Sequence, residues 1–179
     1  EAVERGLFTG PRLFVCGRAI SQTGGHGDAR SRADLASPCA CVHLVGGLCR
    51  VADGVAEVRQ AVRDEIRLGA DQIKVMAGGG VASAADPIDQ LQYSDDELAA
   101  AVDEARRSHT YVLVHAYTAV AVKRSLRAGV RSIEHGNLID EEAAAMIAEA
   151  GAFLVPTLVT YRAHQRLGDA IPRSAGEME

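Results

Sequence analysis

Beyond residue 50 the chain switches repeatedly between two hydrophobic periods. Val55, Val58, Val62 and Ile66 fall at helical spacing and predict a helix within 51–69 that Gly69 closes. A short strand is predicted over 71–76. Ser94-Asp-Asp-Glu97 has the form of a capping box and opens a helix to about residue 108. The pattern then repeats: strand 111–115, helix 118–128 closed by Gly129, strand 130–135, helix 140–150 closed by Gly151, strand 152–156. Upstream, 12–16 reads as one more strand, preceded by the end of a helix over 1–5 that stops at Gly6. Residues 17–53, rich in Gly, Ser, Asp and Cys, show no period and predict a long functional loop or lid.

Val112, Ile133 and Phe153 recur at spacings of 21 and 20 residues, tight for a strand, a helix and two turns. Parallel strands joined by right-handed crossovers satisfy that spacing. About five such strands are predicted, in a pattern that starts inside a helix and stops just after a strand. The 179 residues form one domain but fall short of the roughly 250 that a closed (β/α)8 barrel needs.

Composition narrows the partners. With 47% apolar and 24% charged residues the chain is expected to pack as a soluble domain. The net charge of −5, with no basic cluster larger than Arg106-Arg107, gives no footprint for nucleic acid or anionic lipid. The longest apolar run, 143–148, is far below the ~20 residues of a membrane span, and Glu1, Glu4 and Arg5 interrupt any signal-peptide core. Cys16, Cys39, Cys41 and Cys49 form no C-x-x-C pair, so a reduced, cytoplasmic protein is expected. Gly78, Gly79 and Gly80 follow a strand without either phosphate-binding spacing, which argues against a doubly wound nucleotide domain. They are expected to serve a positive φ or a close backbone approach.

The chemistry lies where strands end. Ligands of parallel α/β folds bind at the carboxyl ends of strands, and three successive strands place Lys74, His115 and His135 there. Each alone reads as a core or rim residue with a partner; three together read as a site. Imidazole ligates zinc and related divalent ions. Lysine joins such a site only when neutral or modified. Burial favours the neutral amine, which can take up carbon dioxide as a carbamate with two oxygens. Strand alternation aims Glu134 away from His135. His43, His109 and His164 read as loop or exposed residues, and Cys39-x-Cys41 with His43 lacks a fourth ligand.

The runs Gly10-Pro-Arg-Leu-Phe-Val-Cys-Gly-Arg18, Ser21-Gln-Thr-Gly-Gly-His26, Gly69-Ala-Asp-Gln-Ile-Lys-Val-Met-Ala77, Val114-His-Ala-Tyr117 and Ile133-Glu-His-Gly-Asn137 together resemble the metal-dependent amidohydrolase superfamily. Within it they are most similar to bacterial Xaa-Pro and Xaa-Arg dipeptidase-like, or imidazolonepropionase-like, enzymes. The resemblance implies an α/β fold that is part of a TIM (β/α)8 barrel, about strands 3 to 7, filling residues 1–179. It implies hydrolysis of a dipeptide or related amide by hydroxide that two divalent ions, zinc by expectation, activate. Lys74 would be the carboxylated bridging ligand, with carbon dioxide as its carbamate, and His115 and His135 further metal ligands. His26 would polarise the scissile carbonyl and Tyr117 would hold a dipeptide's α-carboxylate. The family's His-x-His pair, its last-strand Asp and its small β-domain do not occur in these 179 residues. The chain therefore resembles a central slice, expected to be inactive alone. A cyclic amidohydrolase or deaminase of the same superfamily is the alternative, as is a degenerate binding domain. A small-molecule substrate is implied, and a homo-oligomer is left open.

Overall fold

A computed structural model describes residues 2–30, 47–81 and 86–167. Among them, six strands form one wholly parallel, unclosed sheet in the order β2-β1-β3-β4-β5-β6. The elements in chain order are β1 (Ala19–Ser21), β2 (Cys49–Val51), α1 (Gly54–Arg67), β3 (Ile73–Met76), α2 (Asp95–Arg107), β4 (Val112–Thr118), α3 (Ala119–Ala128), β5 (Ser132–Leu138), α4 (Glu141–Glu149), β6 (Phe153–Val155) and α5 (Leu158–Leu167).

Helix boundaries follow from local chemistry. Ser94 accepts from the Glu97 N–H while the Glu97 carboxylate accepts from the Ser94 N–H, completing the predicted capping box of α2. Thr118 and Asp140 cap α3 and α4 through their side chains, and Gly129 ends α3 at φ 92. Ser94→Ala is expected to lower unfolding stability by about 1 kcal/mol, as typical for a lost N-cap; denaturant titration checks it.

Strand alternation divides the sheet into two faces. Ile20, Ile73, Val75, Val112, Val114, Ala116 and Ile133 are buried in one core with Val58, Val62, Leu98 and Val122 of the covering helices. Lys74, Met76, Leu113, His115 and Tyr117 alternate with these and occupy the opposite face, the one a closed barrel would enclose.

Three sequence expectations are corrected. Residues 12–16 form no strand: Asp71 Oδ2 takes the Val15 N–H at 2.7 Å, the Val15 carbonyl accepts from the Asp71 N–H at 2.7 Å, and Gly17 at φ 63 then turns the chain. The Val15 backbone is thereby committed to Asp71 instead of a ladder. The expected helix end over 1–5 is a set of turns across 2–6, closed by Leu7 N–H to the Ala2 carbonyl at 2.9 Å. The segment 17–53 is not wholly irregular, because β1 and β2 lie in it and pair with each other, Ala19 opposite Cys49. Cys39, Cys41 and His43, and with them that metal reading, lie outside the described residues, as does the His164 side chain. No helix among the described residues is long and apolar enough to cross a membrane.

Candidate active site

Four of the five sequence-predicted residues meet as one array of rings. His26, in the turn after β1, stacks on His115 of β4 with centroids 4.2 Å apart and planes 15° from parallel. His115 meets His135 edge-on at 4.8 Å and Tyr117 edge-on at 5.0 Å, and Tyr117 stacks on His135 at 5.0 Å. Lys74 lies on the same face of β3. Register places Lys74 beside Leu113, and His115 one row further along, beside Met76 and Glu134. The predicted ligands are thus staggered between neighbouring strands and do not share one row.

His135 reaches the array through a break in its strand. Ile133 belongs to the helix-side core, so regular alternation puts Glu134 on the inner face and His135 back toward the helices. His135 instead adopts φ 76, followed by Gly136 at φ 59, and its ring turns inward. Glu134 also faces inward, where its charge acts on Lys74 and it accepts from Ser132 Oγ at 2.8 Å. The expectation that Glu134 points away from His135 is therefore corrected.

Burial sets the protonation states. It is the main cause that pulls the Lys74 ammonium down to about 8, against the opposing charge of Glu134 and smaller contributions from Cys16 and Cys49. Among the described residues no hydrogen bond or ion pair holds that ammonium. Burial likewise pulls His115 to about 3, its hydrogen bond to the Gly79 carbonyl opposing this and His26, His135 and Lys74 adding to it. His135 falls to about 4 through burial and then the charges of Lys74 and His26. Both imidazoles are neutral at pH 7. Tyr117 is pushed upward by burial and by the Tyr161 hydroxyl, so it remains a neutral phenol.

The sign for stability follows. Between about pH 3 and 6.5 the unfolded chain protonates the His115 position while the folded protein does not, so stability rises with pH across that window and is lost as pH falls. In chelator-treated protein, unfolding free energy is expected to drop between pH 6.5 and 4 by roughly 1 kcal/mol per pH unit at the steepest. His115→Gln should flatten that slope in denaturant melts.

The donor nitrogens are defined by their partners. His115 Nε2 lies 2.9 Å from the Gly79 carbonyl, which only accepts, so Nε2 carries the proton and Nδ1 the lone pair. His135 Nδ1 lies 2.7 Å from Thr157 Oγ1, leaving Nε2 for other contacts. Two neutral imidazoles beside an amine of lowered pKa suit a divalent cation, and a hydroxyl or carbonyl on the far ring nitrogen is the usual support for such ligands. They form a partial donor set: among the described residues no three His, Cys, Asp or Glu side chains converge to hold an ion by themselves.

Sequence reasoning missed several neighbours. Asp86 Oδ2 lies 3.1 Å from His26 Nδ1, and Gln92 Oε1 accepts the His26 backbone N–H at 3.0 Å. Thr157, and Tyr161 whose hydroxyl donates to Asn137 Oδ1 at 2.7 Å, approach from beyond β6. The glycine run serves close approach, not positive φ: a Cβ on Gly79 would lie 1.9 Å from the Pro87 carbonyl oxygen, and one on Gly80 2.0 Å from His26 Cε1.

Known proteins share this architecture. The ochratoxinase of Aspergillus niger is 38% identical over 165 residues, 88% of this chain and 34% of that protein. The crystal structure of a prolidase complexed with N-methylphosphonate-L-proline superposes with a TM-score of 0.92 at 57% identity, covering 98% of this chain and 43% of that one. A Xaa-Pro dipeptidase with methionine bound in its active site gives a TM-score of 0.79 at 36% identity, covering 94% and 41%. The chain thus spans about a third to two-fifths of these relatives, whose barrels the six-stranded parallel sheet represents in part. The amidohydrolase family pattern matches residues 1–175, and the chain belongs to that family.

Proposed function

We propose that this chain is the central part of the catalytic barrel of a zinc-dependent amidohydrolase that cleaves a dipeptide or a related amide. The observation that carries the reading is the convergence of neutral His115 and His135, His26, Tyr117 and the Lys74 amine, which has no hydrogen bond or ion pair among the described residues, on the inner side of one parallel sheet. The likeness to a prolidase and to a Xaa-Pro dipeptidase supports the substrate class.

His115 through Nδ1, His135 through Nε2 and Lys74 as its carbamate would hold two zinc ions. The amine nitrogen attacks carbon dioxide, forms an N–C bond and releases a proton, leaving two carboxylate-like oxygens. Bound divalent ions would acidify a water and polarise the amide carbonyl. His26, held at its backbone and at Nδ1, would, once doubly protonated, donate from Nε2 toward the oxygen on which negative charge develops. The Tyr117 phenol, neutral at working pH, would donate to a substrate carboxylate. These three protein donors do not complete a binuclear shell, so the isolated 179-residue chain is proposed to be inactive. The enzyme is placed in the cytoplasm, where its cysteines stay reduced.

The test uses the full-length protein that carries this chain. Purified with its metals, it should hydrolyse Xaa-Pro or related dipeptides, lose that activity on chelation and regain it with zinc. Turnover of cyclic amides or aminated rings in place of dipeptides would overturn the substrate assignment. Full activity without any divalent ion would overturn the mechanism.

A further inference from the structure

The loop that follows β3 holds the carboxylate that meets His26 at Nδ1. Asp86 is buried, 1% exposed, yet it lies in a loop between Gly80 and the α2 cap. Its Oδ2 is 3.1 Å from His26 Nδ1 and 3.2 Å from Gln92 Nε2, and among the described residues its Oδ1 has no hydrogen-bond partner. Gln92, itself fully buried, closes a ring of contacts: its Nε2 donates to Asp86 and its Oε1 accepts from the His26 backbone N–H at 3.0 Å. One face of the His26 imidazole is covered by His115, and the ring abuts Gly80 so closely that a Cβ there would overlap it.

A buried carboxylate with one unsatisfied oxygen is costly to keep unless its other contacts have a use. Here those contacts determine one ring. A carboxylate accepts only, so the proton facing it must sit on His26 Nδ1. Backbone capture by Gln92, the stack on His115 and the Gly80 wall fix the ring plane. Together they fix the direction in which Nε2 points.

We infer that Asp86, with Gln92 bracing it, is a positioning residue that holds a proton on Nδ1 and fixes the orientation of His26, and so acts on amide hydrolysis through His26 without touching substrate. This rests on the functional reading above, so its test includes a readout that does not need turnover. In full-length holoenzyme labelled with 15N-histidine, the His26 resonance, assigned by its loss in His26→Ala, should show a protonated Nδ1. An unprotonated Nδ1 with a protonated Nε2 would overturn the inference even if the enzyme hydrolyses dipeptides. Conversely, a protonated Nδ1 in a protein that hydrolyses no amide would uphold the positioning and sink the reaction class.

Kinetics give the second arm. Asp86→Leu removes the acceptor and should lower kcat for dipeptide hydrolysis about 10- to 100-fold with KM within about 3-fold, the usual cost of losing an outer-shell partner. Asp86→Asn retains an acceptor oxygen and should recover most of that loss. In a His26→Ala background, Asp86→Leu should cost no further activity. Equal losses from Asp86→Leu with and without His26 would overturn the inference. Should Asp86→Leu fail to fold, the wild-type Nδ1 protonation and the Asp86→Asn cycle decide it alone.

Discussion

Lys74→Ala in the full-length hydrolase is expected to lower kcat/KM for its amide substrate by about 10³-fold or more, equivalent to roughly 4 kcal/mol of transition-state stabilisation. It should also reduce bound divalent metal by at least half. The reasoning is local. β3 pairs on both sides, and its alternate residues Ile73 and Val75 are locked in the helix-side core, so Lys74 must face the barrel interior. There it has a pKa of about 8 and no hydrogen bond or ion pair among the described residues. An ordinary structural lysine would carry its charge to a carboxylate. Glu134 is near enough to raise the Lys74 pKa, yet burial outweighs it and the Glu134 oxygen pairs with Ser132. A lysine whose ammonium is destabilised by burial, beside two neutral imidazoles, fits a role as carbamate far better than one as counter-ion. Lys74→Arg separates the two: arginine keeps the positive charge and cannot form the carbamate. Metal analysis and activity should therefore fall as far in Lys74→Arg as in Lys74→Ala. An arginine variant that retains both would show that charge alone is needed.

The strands and helices from 54 to 155 were legible because most repeat a clear period and are bounded by recognisable caps, Ser94, Gly129 and Asp140 among them, whereas the helix Leu158–Leu167 was not foreseen. β1 and β2 were not, because three residues are too few to show a period, and 12–16, with its run of Leu13, Phe14 and Val15, offered a stronger apolar signal that the backbone does not use. For the site, period-2 alternation accounts for Lys74, His115 and Tyr117 sharing one face. It failed at Glu134 and His135, since a non-glycine residue at φ 76 suspends the rule that the prediction rested on. Asp86 and Gln92 carried no local signal at all: their contacts with His26 span 60 and 66 residues, and only the fold brings them there. Short-range patterns locate side chains that a strand presents, whereas groups that brace them arrive through loops.

The three consecutive glycines turn that distinction into an experiment with three different expected results. Gly78→Ala should be nearly silent, because an added Cβ meets only ordinary contacts at 3.6 Å and the backbone there is not left-handed. Gly79→Ala should be the most disruptive. Its Cβ would sit 1.9 Å from the Pro87 carbonyl oxygen and 2.7 Å from its carbon, both backbone atoms that cannot rotate aside. The loop must move, and Gly79 is tied on two sides, its N–H to the Gln90 carbonyl at 2.9 Å and its carbonyl to His115 Nε2 at 2.9 Å. Destabilisation of about 2–4 kcal/mol is expected, in the range of enforced backbone shifts and broken buried contacts. Activity should also be lost, since His115 loses the carbonyl that sets its tautomer. Gly80→Ala meets a side chain instead, the His26 ring at 2.0 Å, which can swing away. Stability should then fall by only about 1 kcal/mol, while hydrolysis drops as far as in His26→Ala. Denaturant melts and dipeptide kinetics on the three variants read both quantities. If Gly80→Ala destabilised the protein as much as Gly79→Ala while leaving hydrolysis intact, the packing of His26 against this loop would be irrelevant to the chemistry.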